Sequence, residues 1–143
     1  MKFCKNISCY LLLCFSVYSY GQNIKQQQWK QRILLILTND EHSVEYKRQL
    51  NEFNDTTLDF KERKLMVFRV TPNSYRIGFD ETKKKASTEL FKKYKKNKES
   101  VEVILIGLDG GVKLRKTSLL RKTALFALID GMPMRKSELK NKN

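Results

Sequence analysis

Val101-Glu102-Val103-Ile104-Leu105-Ile106-Gly107-Leu108-Asp109-Gly110-Gly111-Val112-Lys113-Leu114-Arg115-Lys116 is the stretch on which the fold turns. Residues 101–108 are the strongest strand signal in the chain. Asp109-Gly110-Gly111 follows, and glycine adopts the positive φ that tight hairpin turns require. Residues 112–116 resume a strand in which Val112 and Leu114 share one side and Lys113 and Arg115 the other. The stretch therefore reads as an antiparallel hairpin.

Upstream, residues 33–37 are an unbroken apolar run, too short for a buried helix and so a buried strand. Thr38, Asn39 and Asp40 offer N-cap side chains, and Glu41 falls three residues after Thr38 as a capping-box partner. Tyr46, Leu50 and Phe53 then recur at helical spacing. Residues 54–64 read as a polar connection, and 65–70 as a second apolar strand that Pro72 ends. Residues 75–79 fit either a short edge strand or irregular chain. Asp80 or Thr82 caps a second helix to about Lys96, with Ala86, Leu90, Phe91 and Tyr94 as its apolar face.

Downstream, Thr117 or Ser118 caps a third helix. Leu119, Leu120, Leu125, Phe126, Leu128 and Ile129 cover so much of its circumference that heavy burial is expected. Gly131 ends it, and Pro133 starts a further short turn. The order β-α-β-α-β-β-α implies an α/β domain: a four-stranded mixed sheet with helices on both faces, in a thioredoxin-like arrangement. The organisation expected is a signal peptide at 1–21, a polar lead-in at 22–31, one domain at 32–140 and a tail at 141–143.

Residues 1–21 carry basic Lys2 and Lys5, an apolar run over 9–17, and Ser19 and Gly21 at positions −3 and −1 before Gln22. That is the layout of a cleaved secretory signal, its apolar run far short of the roughly 20 residues that span a bilayer. Export makes the protein periplasmic or secreted. Cleavage would remove all three cysteines, Cys4, Cys9 and Cys14, and with them thiol catalysis, disulfides and zinc–thiolate sites. The junction of first strand and first helix, residues 38–43, holds no Cys, and residues 97–100 hold no Pro. Both halves of a thioredoxin redox site, and a peroxidatic Cys, are therefore missing. No cofactor or metal is implied.

The chain carries 29 Lys and Arg against 15 Asp and Glu, a formal charge of +14. Export argues against a gene-regulatory role. Residues 83–98 hold eight lysines and one acid, Glu89. Lys83, Lys84, Lys85, Lys92, Lys93, Lys95 and Lys96 form a basic surface on the expected helix, either a solvated face or an attraction for a polyanion of the cell envelope. Specific nucleic-acid recognition wants arginine forks or stacking rings, and neither dominates here.

Residues 103–115 with Leu125-Phe126-Ala127-Leu128-Ile129-Asp130-Gly131-Met132-Pro133-Met134-Arg135, and Glu138 three residues on, resemble the DUF4174 family. Arg32 with Leu34 and Leu35 resembles the family's opening strand. The resemblance spans residues 29–140 and marks Asp109, Gly110, Gly111, Asp130 and Pro133 as its structural motif. It implies a thioredoxin-like or peroxiredoxin-like fold without an established activity, similar to modules of secreted matrix-associated proteins. Leu108 departs from the pattern, standing where a polar, often basic, residue precedes Asp-Gly.

Two places carry candidate chemistry. Asp40 and His42 sit at the usual active-site end of such a fold and suit acid–base work, although helix capping explains the same residues. Lys113, Arg115, Arg135 and Glu138 form either an anion site or an ion-pair network pinning the C-terminal turn to the sheet. The function expected is a non-catalytic binding module of the envelope with a protein or polyanion partner. The alternatives are a polyanion binder acting through residues 83–98, and an enzyme using either candidate group.

Overall fold

The computed structural model describes residues 24–80, 82 and 84–141. β1 (Arg32–Thr38) is buried along its whole length, as befits an apolar run covered on both faces. After it come α1 (Val44–Glu52), α2 (Thr57–Glu62), β2 (Leu65–Thr71), β3 (Ser74–Ile77), β4 (Lys84–Ala86) and α3 (Glu89–Tyr94). β5 (Val101–Ile106), β6 (Val112–Lys116), α4 (Lys122–Asp130) and α5 (Pro133–Lys140) complete the fold. The strands make one mixed sheet in the order β4-β3-β2-β1-β5-β6. Among the described residues β1 and β2 are the one parallel pair.

Side-chain alternation along the strands splits the core in two. Leu34, Ile36, Val67, Val103 and Leu105 face α1, α2 and α4 through Tyr46, Phe53, Phe60, Leu125 and Ile129. Ile33, Leu35, Leu37, Phe68, Val70, Ile104 and Ile106 face the opposite way, covered by Leu90, Phe91 and Tyr94 of α3 and by Ile24. Helices thus cover both faces, as expected.

The sheet has six strands rather than four. Thr71 and Ser74 close the β2–β3 turn around Pro72, with Thr71 Oγ1 donating to the Ser74 carbonyl at 3.1 Å. β4 occupies residues 84–86 where a helix to Lys96 was expected, and that helix shrinks to Glu89–Tyr94. Three successive lysines crowd like charge into a helical turn. As an extended edge Lys84 and Lys85 pair main chain with β3 and leave their side chains in water, and edge lysines discourage further pairing.

α2 lies where a polar connection was expected. Its one buried residue, Phe60, meets Phe53 at 5.7 Å and Phe126 at 5.8 Å edge-on. The α1 cap is Ser43, whose Oγ accepts from the Tyr46 N–H. Thr38 instead turns the chain by accepting from the Asp40 N–H at 3.1 Å, and Glu41 pairs with Arg76.

α4 begins at Lys122, later than expected, and only Leu125 and Ile129 are fully buried; Leu128 is 38 % exposed. Its cap is supplied from α1: Glu52 Oε1 accepts from the Lys122 N–H at 3.1 Å. Buried Gln49 of α1 grips Leu120 just before α4. Its Nε2 donates to the Leu120 carbonyl at 3.0 Å and its Oε1 accepts from the Leu120 N–H at 2.8 Å. Gly131 and Pro133 separate α4 from α5 as the sequence implies.

The hairpin turn carries Gly110 at φ +81°, and a bulge between Leu105 and Ile106 shifts its register. Residues ahead of β1 bind back onto it. The Trp29 N–H donates to the Leu108 carbonyl at 2.7 Å, and Gln28 Nε2 to the Asp109 carbonyl at 3.0 Å. Trp29 has φ +66°, a conformation that costs a bulky residue about 1–3 kcal/mol and persists only when its surroundings impose it.

Replacing Gln49 with Ala leaves the Leu120 N–H and carbonyl buried without partners. Urea unfolding of Q49A should show a loss of about 2 kcal/mol, and an unchanged midpoint would refute the grip.

Candidate functional site

The four residues marked as one candidate cluster separate into three places. Arg135, on α5, is 2 % exposed. Its Nη2 donates to Glu62 Oε1 at 2.8 Å, its Nη1 to the Glu62 carbonyl at 2.9 Å, and its Nε to Asp130 Oδ1 at 3.2 Å. Glu138, one turn along, lies 3.5 Å from Arg135 and 3.4 Å from Arg32 of β1. Arg63 donates to Asp130 Oδ2 at 2.7 Å and stands 4.3 Å above the Phe126 ring. Arg32, Arg63 and Arg135 thus interlock with Glu62, Asp130 and Glu138. The network ties together α2, β1, α4 and α5.

For Asp130 and Arg135 the partners outweigh desolvation. Burial by itself raises the Asp130 pKa, yet hydrogen bonds from Arg63 and Arg135 bring it below the ordinary aspartate range. For Arg135 burial favours the neutral form, and Glu62 and Asp130 overcome it, moving the pKa up. Asp130 of the Asp-Gly-Met-Pro-Met-Arg stretch therefore serves as the bridge between two guanidinium groups.

Arg115 belongs to a second cluster on the face that α3 covers. It donates to the fully buried Glu102 and, at 2.9 Å, to the Tyr94 carbonyl. Glu102 also accepts from the Lys96 N–H at 3.0 Å, the Asn97 N–H at 3.2 Å and Asn97 Nδ2 at 3.0 Å. Burial pushes its pKa up, and these donors more than reverse that, leaving it lowered. The sequence signal for this clamp was one acid inside Val-Glu-Val-Ile-Leu-Ile. Lys95 turns toward the same loop, donating to the Asn97 and Glu99 carbonyls.

Lys113 is at the hairpin tip, 2.6 Å from Asp109 Oδ2. Asp109 Oδ1 accepts from the Gly111 N–H at 3.1 Å. The Lys113 bond, then the Gly111 N–H, draw the Asp109 pKa down. A Cβ at Gly107 would stand 2.6 Å from Lys113 Cε and 2.9 Å from Asp109 Oδ1, so this ion pair occupies the space glycine leaves open.

Asp40 and His42 line a cleft of about 570 Å³ with Thr71, Asn73, Ser74 and Lys84, beyond the C-terminal ends of β1 and β2. Asp40 Oδ1 accepts from the main-chain N–H of His42 at 2.8 Å, so the carboxylate shapes the turn rather than orienting the exposed imidazole. Among the described residues no group of three or more His, Cys, Asp or Glu is placed to hold a metal. Lys84, Lys85, Lys92, Lys93 and Lys96 are exposed. Lys83 and residues 1–21 lie outside the described residues. No helix among those described is long and apolar enough to cross a membrane.

The DUF4174 family model, a domain of unknown function, matches residues 23–138. No curated protein matches the chain.

Truncating Arg135 to Ala takes this donor from the Glu62 carbonyl and leaves Asp130 with Arg63 alone. Because the carboxylates left behind are partly open to water and keep other cations, R135A should lose about 2 kcal/mol in chemical denaturation; a shift below about 0.5 kcal/mol would mark the network as ornamental. Asp130 and Glu102 both have folded pKa values below their unfolded ones. Their stabilisation is complete above the unfolded values, near pH 4, and is lost as pH falls through the folded values. Stability measured from pH 7 to 2 should therefore drop along an acid limb, and E102Q should make that limb shallower.

Proposed function

The chain belongs to the DUF4174 family, and from that premise we propose that it is an exported, non-catalytic binding domain of the cell envelope. One observation carries the non-catalytic reading. Lys113, Arg115 and Arg135, the cations best suited to an active site, each have a carboxylate of this same chain as ion-pair partner. Groups so committed hold loops and helices in place and are poorly available for turnover. The thiol side points the same way, because every cysteine falls in residues 1–14. Export rests on the signal-like pattern of residues 1–21.

The fold we infer is a thioredoxin-like unit extended at one edge. Its support is the contiguous quartet β2-β1-β5-β6, with β1 and β2 parallel, β5 and β6 antiparallel, α1 after β1 and α4 after β6. β3 and β4 then act as additions beyond β2. The domain would bind a partner through its surface rather than through the redox corner of such folds.

A polyanion-binding reading is favoured by one further observation, the exposure of Lys84, Lys85, Lys92, Lys93 and Lys96 on β4, on α3 and just beyond it. Cationic surfaces of this kind attract polyanions in a salt-dependent way.

One fractionation experiment tests both. The full chain expressed in a bacterial host should be recovered outside the cytoplasm with a new N-terminus near Gln22. That material should elute from heparin at higher salt than the variant carrying Glu at Lys83, Lys84, Lys85, Lys92 and Lys93. Cytoplasmic material that retains Met1 would overturn export, and identical elution would overturn polyanion binding.

A further inference from the structure

Arg32 is 1 % exposed, yet its guanidinium is only half used. Nη1 donates to the Arg63 carbonyl at 2.8 Å and reaches both Glu138 oxygens at 3.4 Å. Nε and Nη2 are buried with no hydrogen-bond partner. Those two nitrogens present parallel N–H bonds along one edge of the guanidinium plane, the edge that takes the two oxygens of a carboxylate. Buried donors on a charged group rarely go unmatched, because leaving them so forfeits their hydration without return.

Arg32 lines a cavity of about 260 Å³ whose other walls include Leu108, Asp109, Lys113, Met132, Pro133 and Met134. Its lining is mainly apolar, with two thioethers that adapt to irregular shapes. α5 starts in this wall at Pro133, and Met132 before it supplies no side-chain cap. The positive end of the helix therefore adds to the field of Arg32. Lys113 is already paired with Asp109, and Glu138 stands behind Arg32. This balance suits one negative charge better than the two of a phosphate.

We propose that this cavity binds a small organic monocarboxylate with a compact apolar body. The carboxylate oxygens take the Nε and Nη2 protons of Arg32 once the side chains that cover both atoms give way, and the apolar body packs on Leu108, Met132 and Met134. The inference deepens the binding-domain reading and rests on it, since no bond is made or broken. It also explains why Leu108 is apolar at the start of the hairpin turn: a charged side chain there would compete for Arg32 or repel it.

The test is a ¹H–¹⁵N NMR titration of the full chain with isovalerate, following the arginine Nε–H signals and Gly107. Isovalerate should give a saturable shift, with the neutral isostere isovaleramide at least about tenfold weaker, the worth of a charge-assisted bond. M134W, which fills the cavity without touching the ion pairs, should abolish the shift while the melting temperature holds. R32K, which keeps the charge and loses the fork, should weaken binding at least about tenfold. A short peptide ending in leucine, as free acid and as amide, separates a free metabolite from a chain terminus as the source. Tighter binding of the peptide acid assigns a terminus, and tighter binding of isovalerate a free acid; both support the site. Equal binding of isovalerate and isovaleramide, no saturable shift, or undiminished binding by M134W would overturn it. Chemical conversion of isovalerate would leave the site standing and sink the non-catalytic reading instead.

Discussion

A guanidinium group taken out of water must find acceptors, and that demand organises one end of this molecule. Arg32 and Arg135 are both almost fully buried. A lone buried charge of this kind is prohibitively unfavourable, so carboxylates and carbonyls have to converge on it. Glu62 arrives from the end of α2, Asp130 from the end of α4 and Glu138 from α5. Each comes from a different element, so meeting the demand sets where those elements lie relative to the start of β1. The short helix α2, anchored by one aromatic side chain, has its C-terminus fixed by Arg135 through both the side chain and the carbonyl of Glu62.

The same logic with signs reversed operates on the α3-covered face. Glu102 is a buried carboxylate that gathers Arg115 and the main chain of Lys96 and Asn97. The chain leaving α3 has little apolar content to pin it, and the carboxylate supplies that anchor. The +14 charge thus divides by chemistry. Arginines 32, 69 and 135 are buried, where planar forks match several acceptors at once, while most of the lysines on and around β4 and α3 stay in water. What looks like one basic surplus is a structural set of arginines plus a solvated set of lysines.

Legibility in the sequence followed the range of the interactions. β1, β2 and β5 are visible as apolar runs and β6 as an alternating strand after a glycine turn, because each needs only its own side chains to mark it. The Gly110 turn and the Gly131–Pro133 break are visible because glycine and proline act on their own backbone. β4 has no apolar side at all; it exists through main-chain pairing with β3, which leaves no periodic trace. The α1 cap was misplaced because Thr38, Asp40 and Ser43 all offer acceptors, and only the path out of β1 decides among them. At the site, the Arg135–Glu138 spacing is local and readable. The partners Glu62 and Arg32 lie 73 and 106 residues from the groups they meet, a distance over which pairing is a property of the fold alone.

The contrast between the two buried arginines carries the functional argument furthest. Arg135 has acceptors on Nε, Nη1 and Nη2, all from this chain. It is a finished structural part, and a ligand would have to displace Asp130 or Glu62 to reach it. Arg32 has the same burial and shares Glu138 with it, yet keeps its bidentate edge unmatched, covered by neighbouring side chains on a residue that lines a cavity. An apolar residue at position 32 would leave the Arg63 carbonyl without this donor and Glu138 with one guanidinium fewer, so stability accounts for Nη1 and leaves the Nε–Nη2 edge unexplained. A half-satisfied guanidinium is the less stable arrangement, and it becomes the more stable one only when an acceptor from outside the chain completes it.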